Sequence, residues 1–310
     1  MYSLSHSGLR PAVIPAAMLL SMTGALAQDD CCAGKQEPAA PTTHRVLRVT
    51  ADPNNLPFTN ERREGFENKL AELVADELGA ELQYSWRAQR RGFFRETLKE
   101  NRADLVLAVP AHFDMGLTTR PYYRSTYVFV YRTDKHLNIR SLDDPALKNL
   151  KVGVQMIGND GRNTPPAHAL ANRGIVNNVV GFTVYGDYSQ PNPPARIIEA
   201  VANGDIDVAI AWGPLGGYFA PKQKAALTVV PVSPAADPQL PFTFSIAMGV
   251  PKADKALRDE IDAALARKQS EVNAILDEFR VPRVPEPQNG KPISTASNEK
   301  LPATVTPQAP

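Results

Sequence analysis

Between residue 44 and about residue 280, the apolar positions of this chain switch repeatedly between strand spacing and helix spacing. Strand-type runs lie at 46–50, 82–86 and 105–108. Helical stripes separate them: a first one at Phe66, Leu70, Leu73, Val74 and Leu78 that stops at Gly79, and a short one at Phe93, Phe94 and Leu98. The alternation predicts an α/β unit in which helices cover both faces of a parallel sheet.

The same alternation begins again at about residue 150 and predicts a second α/β unit. Its strand-type runs lie at 152–155, 182–185 and 208–211, and its helices at 167–172 and from Pro194 to Asn203, ahead of Gly204. A final strand at 243–248 leads into a long amphipathic helix from Leu257 to Phe279. Two such units favour a binding crevice between them, because ligands of open α/β sheets lie beyond the carboxyl ends of the strands.

The two ends of the chain lack this periodicity. Residues 1–27 combine a basic start at Arg10, an apolar stretch and a small-residue cleavage signal, so we expect a signal peptide and export to the periplasm. The polar leader at 28–43 and the proline-rich tail at 282–310 are expected to be disordered.

Cys31 and Cys32 are the only cysteines, and they are adjacent in the leader. Asp29 and Asp30 occupy the place of the small-residue box that a lipoprotein anchor needs, so no lipid anchor is expected. In an oxidising compartment the pair could form a strained vicinal disulfide or a bond to another chain. The polar leader around the pair favours the simpler interpretation that it has no role.

Composition narrows the classes of function. A net charge of +1 and a pI of about 7.8 give no basic face for a nucleic acid. After the signal peptide, no stretch is long and apolar enough to span a membrane. The common hydrolase, zinc-protease, P-loop and Rossmann motifs are absent, and His112 with Asp114 is too sparse a set for a metal site. We therefore expect a binding protein, not an enzyme.

Candidate binding residues follow the strand ends that would face the crevice. Aromatic side chains in these loops offer rigid contact area, and the arginines could bind a carboxylate or phosphate in a bidentate manner. The competing interpretations are plain turns, a solvated arginine pair and packing between the two units. The expected cleft residues are Asn55, Phe58, Arg90, Arg91, His112, Tyr122, Gln155, Asn159, Trp212 and Tyr218.

Several longer motifs resemble a known family. The motifs at 65–69, 121–123 and 204–207 are similar to the family 3 extracellular solute-binding proteins of ABC importers. More narrowly, the motifs at 89–93, 121–127, 163–166, 185–188 and 212–214 resemble the MoxJ/XoxJ branch, periplasmic proteins encoded with quinoprotein methanol dehydrogenases. The resemblance covers about residues 45–283.

The resemblance implies the α/β fold of type II periplasmic binding proteins, with two α/β lobes joined by two hinge strands around a central cleft. Lobe 1 would consist of residues 44–130 and 243–281, and lobe 2 of residues 131–242. The hinges would lie near 127–131 and near 242–246.

Two positions depart from the amino-acid binders of the family. By resemblance, His112 stands where they carry an arginine for the ligand carboxylate, and Trp212 where they carry an aspartate for the ligand amine. A buried zwitterion would lose both ionic partners, so amino-acid transport is not expected.

The resemblance implies an accessory role for a PQQ-dependent methanol or alcohol dehydrogenase. The enzyme itself, its PQQ cofactor or a peptide segment would bind in the cleft, and arginines beside aromatic residues suit a planar polycarboxylate such as PQQ. The alternative is the solute-binding subunit of an ABC importer for a small compound that is not an amino acid.

Overall fold

The computed structural model describes residues 44–90, 92–157, 163–184, 188–237 and 240–285. The strands are β1 Arg45–Ala51, β2 Asn54–Asn55, β3 Thr59–Asn60, β4 Ala80–Trp86, β5 Val106–Pro110, β6 Leu117–Thr118, β7 Tyr123–Arg132, β8 Val152–Met156, β9 Val179–Thr183, β10 Val208–Trp212, β11 Leu227–Pro231, β12 Ala236–Asp237, β13 Leu240–Pro241 and β14 Thr243–Val250. The α-helices are α1 Phe66–Glu77, α2 Pro165–Asn172, α3 Arg196–Asn203, α4 Gly213–Phe219, α5 Lys255–Arg267 and α6 Gln269–Glu278. Across these described stretches, no helix has the length and apolar character needed to cross a membrane.

The first half of the fold forms because β1 and the apolar stripe of α1 share one core. β1 pairs in parallel with β4, and Val49 bridges in parallel to Leu105, just before β5. Phe66 and Leu70 lie one turn apart on α1 and are fully buried. The helix ends before Gly79, whose φ of +60° favours glycine, so the predicted stop is confirmed.

The second half repeats this arrangement. β10, β8 and β9 lie side by side in parallel, with β8 in the middle. Ile197, Ile198 and Val201 of α3 are buried, and the helix ends at Gly204 with φ +82°. The strand predicted at 182–185 is β9, which begins and ends earlier, so the predicted bounds were wrong by a few residues.

Two long strands run between the halves. Residues 123–126 of β7 pair with β14, whereas residues 127–131 pair with β10. β14 in turn pairs with β5 of the first half. The expected hinge positions therefore fall within β7 and at the start of β14, while the lobe boundaries themselves stay a prediction.

Helix α4 departs from the sequence prediction, which placed Trp212 and Tyr218 in a binding loop after a strand end. Its glycines are packed against the rest of the chain. A Cβ on Gly213 would lie 2.5 Å from the Thr126 carbonyl oxygen, and one on Gly217 would lie 2.0 Å from the Arg280 carbonyl oxygen. The glycines thus allow α4 to approach β7 and the segment after α6 closely.

The C-terminal helix also differs from the prediction of one continuous element. α5 and α6 meet at Lys268, because the buried stripe passes from Leu265 directly to Val272 and no apolar side chain holds the intervening turn to the core. The disordered tail was predicted to start at Pro282, but residues 282–285 belong to the described structure. Pro282 accepts a hydrogen bond of 2.6 Å from Ser125 Oγ, which ties this segment to β7.

Candidate functional site

A cavity of about 430 Å³ lies where the carboxyl ends of β1, β5, β8 and β10 converge. A volume of this size is typical of small-molecule and side-chain binding sites. The carboxyl ends of parallel strands meet at one edge of a sheet, so this is the position that the sequence predicts for a crevice. Its aromatic lining residues are Phe58, Phe93, Tyr123, Tyr127, Tyr188 and Trp212.

The loop after β1 supplies a polar wall built around Asp52. The buried carboxylate accepts hydrogen bonds from the backbone N–H of Asn54 at 2.9 Å and the backbone N–H of Gln89 at 2.7 Å. The Tyr188 hydroxyl also donates to it. Burial raises the pKa of Tyr188, and the hydrogen bond to Asp52 and the charge of Asp52 raise it further. The Asp52 carboxylate is therefore occupied by donors from the protein itself.

Trp212 stands at the junction of β10 and α4 and lines the cavity. Its ring centroid lies 5.3 Å from that of Tyr127 and 5.8 Å from that of Phe244, both in tilted, edge-type contacts. Its backbone N–H donates to the Gln155 side chain at 3.4 Å. The indole thus packs between two aromatic rings in the cavity wall.

Glu67 lies in the first turn of α1, is only 5% exposed and lines the cavity. Its backbone N–H donates to the Phe58 carbonyl at 3.0 Å. Its Oε1 atom has no hydrogen-bond partner within the described part of the chain. Burial raises the pKa of this carboxyl group from 4.5 to about 8, so it is protonated at pH 7.

Two tyrosines lie beside this carboxyl group. Tyr123 lines the cavity, and its buried hydroxyl makes no hydrogen bond to any described residue. Burial raises the pKa of Tyr122 and Tyr123, and the charge of Glu67 raises both further because the groups are neighbours. For Tyr122, a contact with the Ala108 backbone lowers the pKa and so offsets part of this rise.

The predicted cleft residues divide into three sets. Those that line the cavity are Asn55, Phe58, Gln155 and Trp212. Those that the structure describes but that do not line it are Arg90, His112, Tyr122 and Tyr218. Four of the predicted residues lie outside the described residues: Arg91, Asn159, Cys31 and Cys32. The expected signal peptide and leader, at 1–43, and residues 286–310 also lie outside them.

The residues of the second set have other surroundings. The Arg90 guanidinium lies 5.4 Å from the ring centroid of Tyr188, at the side of the cavity. His112 is exposed and adopts φ +66° after β5. Tyr122 is 6% exposed and belongs to the core of the first half. Tyr218 stacks on Phe279 at 5.5 Å and lines a separate surface groove.

The sequence patterns do not indicate four of the lining residues: Glu67, Tyr123, Tyr127 and Tyr188. Glu67 lies on the same buried side of α1 as Leu70 and Val74, but acidic side chains are rarely fully buried, so the apolar pattern of the helix does not point to it. Tyr122 and Tyr123 are adjacent, and their ring centroids lie 5.1 Å apart in the same core. Tyr123, the first residue of β7, lines the cavity, whereas Tyr122, which precedes the strand, does not.

The charge of the lining decides what the cavity can bind. The described lining residues include two acids, Asp52 and Glu67, and no lysine, arginine or histidine. An anion would enter a partly apolar space without a counter-charge, which is costly. Aromatic faces and carboxyl groups instead suit cations and neutral apolar groups.

In the described residues, no group of three His, Cys, Asp or Glu side chains is placed to hold a metal ion.

Comparison with known proteins identifies the family. Residues 47–280 match the model of the bacterial extracellular solute-binding proteins, family 3. The chain belongs to this family. The likeness to MoxJ and XoxJ, expected from the motifs, is also confirmed: the chain is 34% identical to Protein MoxJ of Methylorubrum extorquens strain AM1 over 84% of this chain and 89% of that protein.

Solved structures confirm the type II periplasmic binding protein fold of this family 3 chain. The periplasmic binding protein XoxJ from Methylobacterium extorquens AM1 matches with a TM-score of 0.64 and 34% identity, covering 78% of this chain and 100% of XoxJ. MxaJ from Methlophaga aminisulfidivorans MPT matches with a TM-score of 0.67 and 26% identity, covering 77% of this chain and 100% of MxaJ.

Proposed function

We propose that this family 3 protein is a periplasmic, non-enzymatic accessory factor of a PQQ-dependent methanol or alcohol dehydrogenase and binds a segment of that enzyme in its cavity. The observation that carries the proposal is the lining, which combines aromatic walls and two acids without a basic side chain among the described lining residues. Such a lining suits apolar and cationic side chains of a protein partner. The likeness to MoxJ and XoxJ supports the dehydrogenase as that partner.

An amino acid fits this cavity poorly. Its carboxylate would be desolvated with no basic side chain among the described lining residues. His112, at the position of the family's arginine, is exposed and does not line the cavity. Trp212, at the position of the aspartate for the amine, contributes an indole ring.

The described lining also fits PQQ itself poorly. A planar polycarboxylate needs cationic partners, and the carboxyl groups of Asp52 and Glu67 offer none. Arg90 does not line the cavity, and its guanidinium lies against the Tyr188 ring. We therefore propose a protein segment, not the cofactor, as the occupant of the cavity.

Binding to the dehydrogenase tests this proposal. We expect saturable binding by calorimetry between the chain, purified from the periplasm of an expression host, and the PQQ-dependent alcohol dehydrogenase of the same organism. Trp212→Leu should weaken binding by about tenfold or more, because buried aromatic anchors carry a large share of interface energy. Trp86→Leu is the matched control, since Trp86 stacks on Tyr84 at 4.5 Å and does not line the cavity.

Titrations with the apo and holo forms of the dehydrogenase define the role further. Tighter binding of the apo form would support a function in cofactor loading or maturation. Equal weakening by Trp212→Leu and Trp86→Leu would remove the cavity from the interface. No binding of either form would contradict the proposal and favour the alternative, a solute-binding subunit of an importer.

A further inference from the structure

We propose that the floor of the cavity, formed by Glu67 and Tyr123, binds a primary ammonium group carried on an unbranched apolar stem. The inference deepens the proposed function and in part rests on it, since a lysine side chain of the dehydrogenase segment would supply this group. A free alkylamine presents the same chemistry. The two sources are separated by experiment below.

The geometry of the floor singles out Glu67. Its Oε1 atom and the Tyr123 hydroxyl are both buried, and neither has a hydrogen-bond partner within the described part of the chain. Both residues line the cavity. Buried polar atoms are almost always paired, so two neighbouring exceptions at the wall of a cavity indicate a place for a polar group from outside. Asp52 does not offer such a place, because three protein donors already occupy its carboxylate.

The chemistry of the walls favours an ammonium group over other polar groups. An ammonium has three donors and no acceptor, which suits the Glu67 carboxylate and the Tyr123 hydroxyl oxygen as acceptors. Phe58, Phe93 and Trp212 supply aromatic surface for the apolar stem, and aromatic faces attract cations. A carboxylate would face Glu67 without a basic partner among the described lining residues. A hydroxyl group would have only one donor to offer.

Binding of the ammonium group is coupled to a proton. The Glu67 carboxyl is protonated at pH 7 because burial raises its pKa to about 8. To form the ion pair it must release its proton to solvent, so one proton leaves for each ammonium bound. The titratable groups that interact with Glu67 are Tyr84 on β4 and the adjacent Tyr122 and Tyr123. Asp52 is the other acid in the cavity lining.

Tryptophan fluorescence gives a direct measurement, because the chain has two tryptophans and Trp212 alone of them lines the cavity. In the Trp86→Phe protein, n-pentylammonium should change the emission saturably. n-Pentanol should bind about tenfold more weakly or worse, and pentanoate should not bind, since charge-assisted hydrogen bonds are about twice as strong as neutral ones. The affinity for pentylammonium should rise by up to about tenfold for each pH unit between pH 6 and pH 8.

Glu67→Gln in the same background should weaken pentylammonium binding by about tenfold or more and remove its pH dependence. Glu72→Gln, a partly exposed acid on the same helix that does not line the cavity, should leave both unchanged. Tyr123→Phe provides a second variant and should weaken binding while keeping the pH dependence. Equal affinities for pentylammonium and pentanol, no saturation with pentylammonium, or an unchanged affinity in Glu67→Gln would overturn the proposal and assign the floor to ordered water.

Capped amino acids separate the two sources of the ammonium group. N-acetyl-lysine methylamide should bind and N-acetyl-norleucine methylamide should not, if the floor takes a lysine of the partner. Binding of pentylammonium without binding of the lysine derivative would overturn the lysine assignment and leave a site for free amines. Amine binding without dehydrogenase binding would contradict the proposed function alone, whereas dehydrogenase binding without amine binding would contradict this inference alone.

Discussion

Replacing Glu67 with glutamine should remove a large loss of stability that the unmodified chain undergoes as the pH rises from 5 to 8. The unfolded carboxyl group loses its proton near its ordinary pKa of 4.5, whereas the folded, buried group keeps it until the pH reaches about 8. Between these values the folded state binds one more proton than the unfolded state. The free energy of unfolding therefore falls by about 1.4 kcal/mol for each pH unit in this window.

The measurement is urea unfolding of both proteins at pH 5, 6, 7 and 8. The two unfolding free energies should be close at pH 5, where the carboxyl group is neutral in the folded state. The difference between them should grow to about 4 kcal/mol at pH 8 in favour of Glu67→Gln. Groups that titrate in both proteins cancel in this difference. Glu72→Gln should follow the unmodified protein, and parallel curves for Glu67→Gln would refute a buried, protonated Glu67.

The elements with strong periodicity could be predicted from the sequence for a physical reason. Helix α1 buries side chains at helical spacing, so the apolar pattern predicts it directly. Strand β10 is a short apolar run that is buried on both faces, which is typical of a parallel sheet covered by helices. Helix α4 could not be predicted in this way. Glycine and proline at 213–217 are typical of a loop, and only the closeness of β7 and the Arg280 carbonyl shows why a helix with small residues forms there.

The candidate site was predictable in its position and less so in its chemistry. The rule that ligands lie beyond strand carboxyl ends led to Asn55, Phe58, Gln155 and Trp212, which line the cavity. The same rule led to His112, which is exposed. Glu67 was missed because an acidic residue in the first turn of a helix is usually exposed. Its burial here depends on tertiary neighbours such as Phe58 and Tyr123. The local sequence therefore predicted the position of the cavity at the strand ends, whereas tertiary packing determines which side chains line it.

Gly65→Ala should destabilise the protein severely, although alanine can adopt the backbone conformation of Gly65. The φ and ψ angles of Gly65 are −78° and 157°, which is ordinary extended backbone. The cost comes from contact: a Cβ at this position would lie 1.9 Å from the Phe58 carbonyl oxygen and 2.7 Å from the Thr59 amide nitrogen. We expect a loss of about 3 kcal/mol or more of unfolding free energy, because both contacts are backbone atoms that no rotamer change can move.

The neighbouring hydrogen bonds explain why this contact cannot relax and why its loss would reach the cavity. The Glu67 N–H donates to the Phe58 carbonyl at 3.0 Å, and the Gly65 N–H donates to Asn68 Oδ1 at 3.1 Å. Moving Phe58 away would break the first bond and displace two lining residues at once. Gly79→Ala is the control, since its Cβ meets nothing within 4 Å and the φ of +60° alone should cost about 1–2 kcal/mol. Equal midpoints of urea unfolding for the two variants would show that the Gly65 contact relaxes freely; a much lower midpoint for Gly65→Ala, with a changed Trp212 emission in the Trp86→Phe background, is the result we expect.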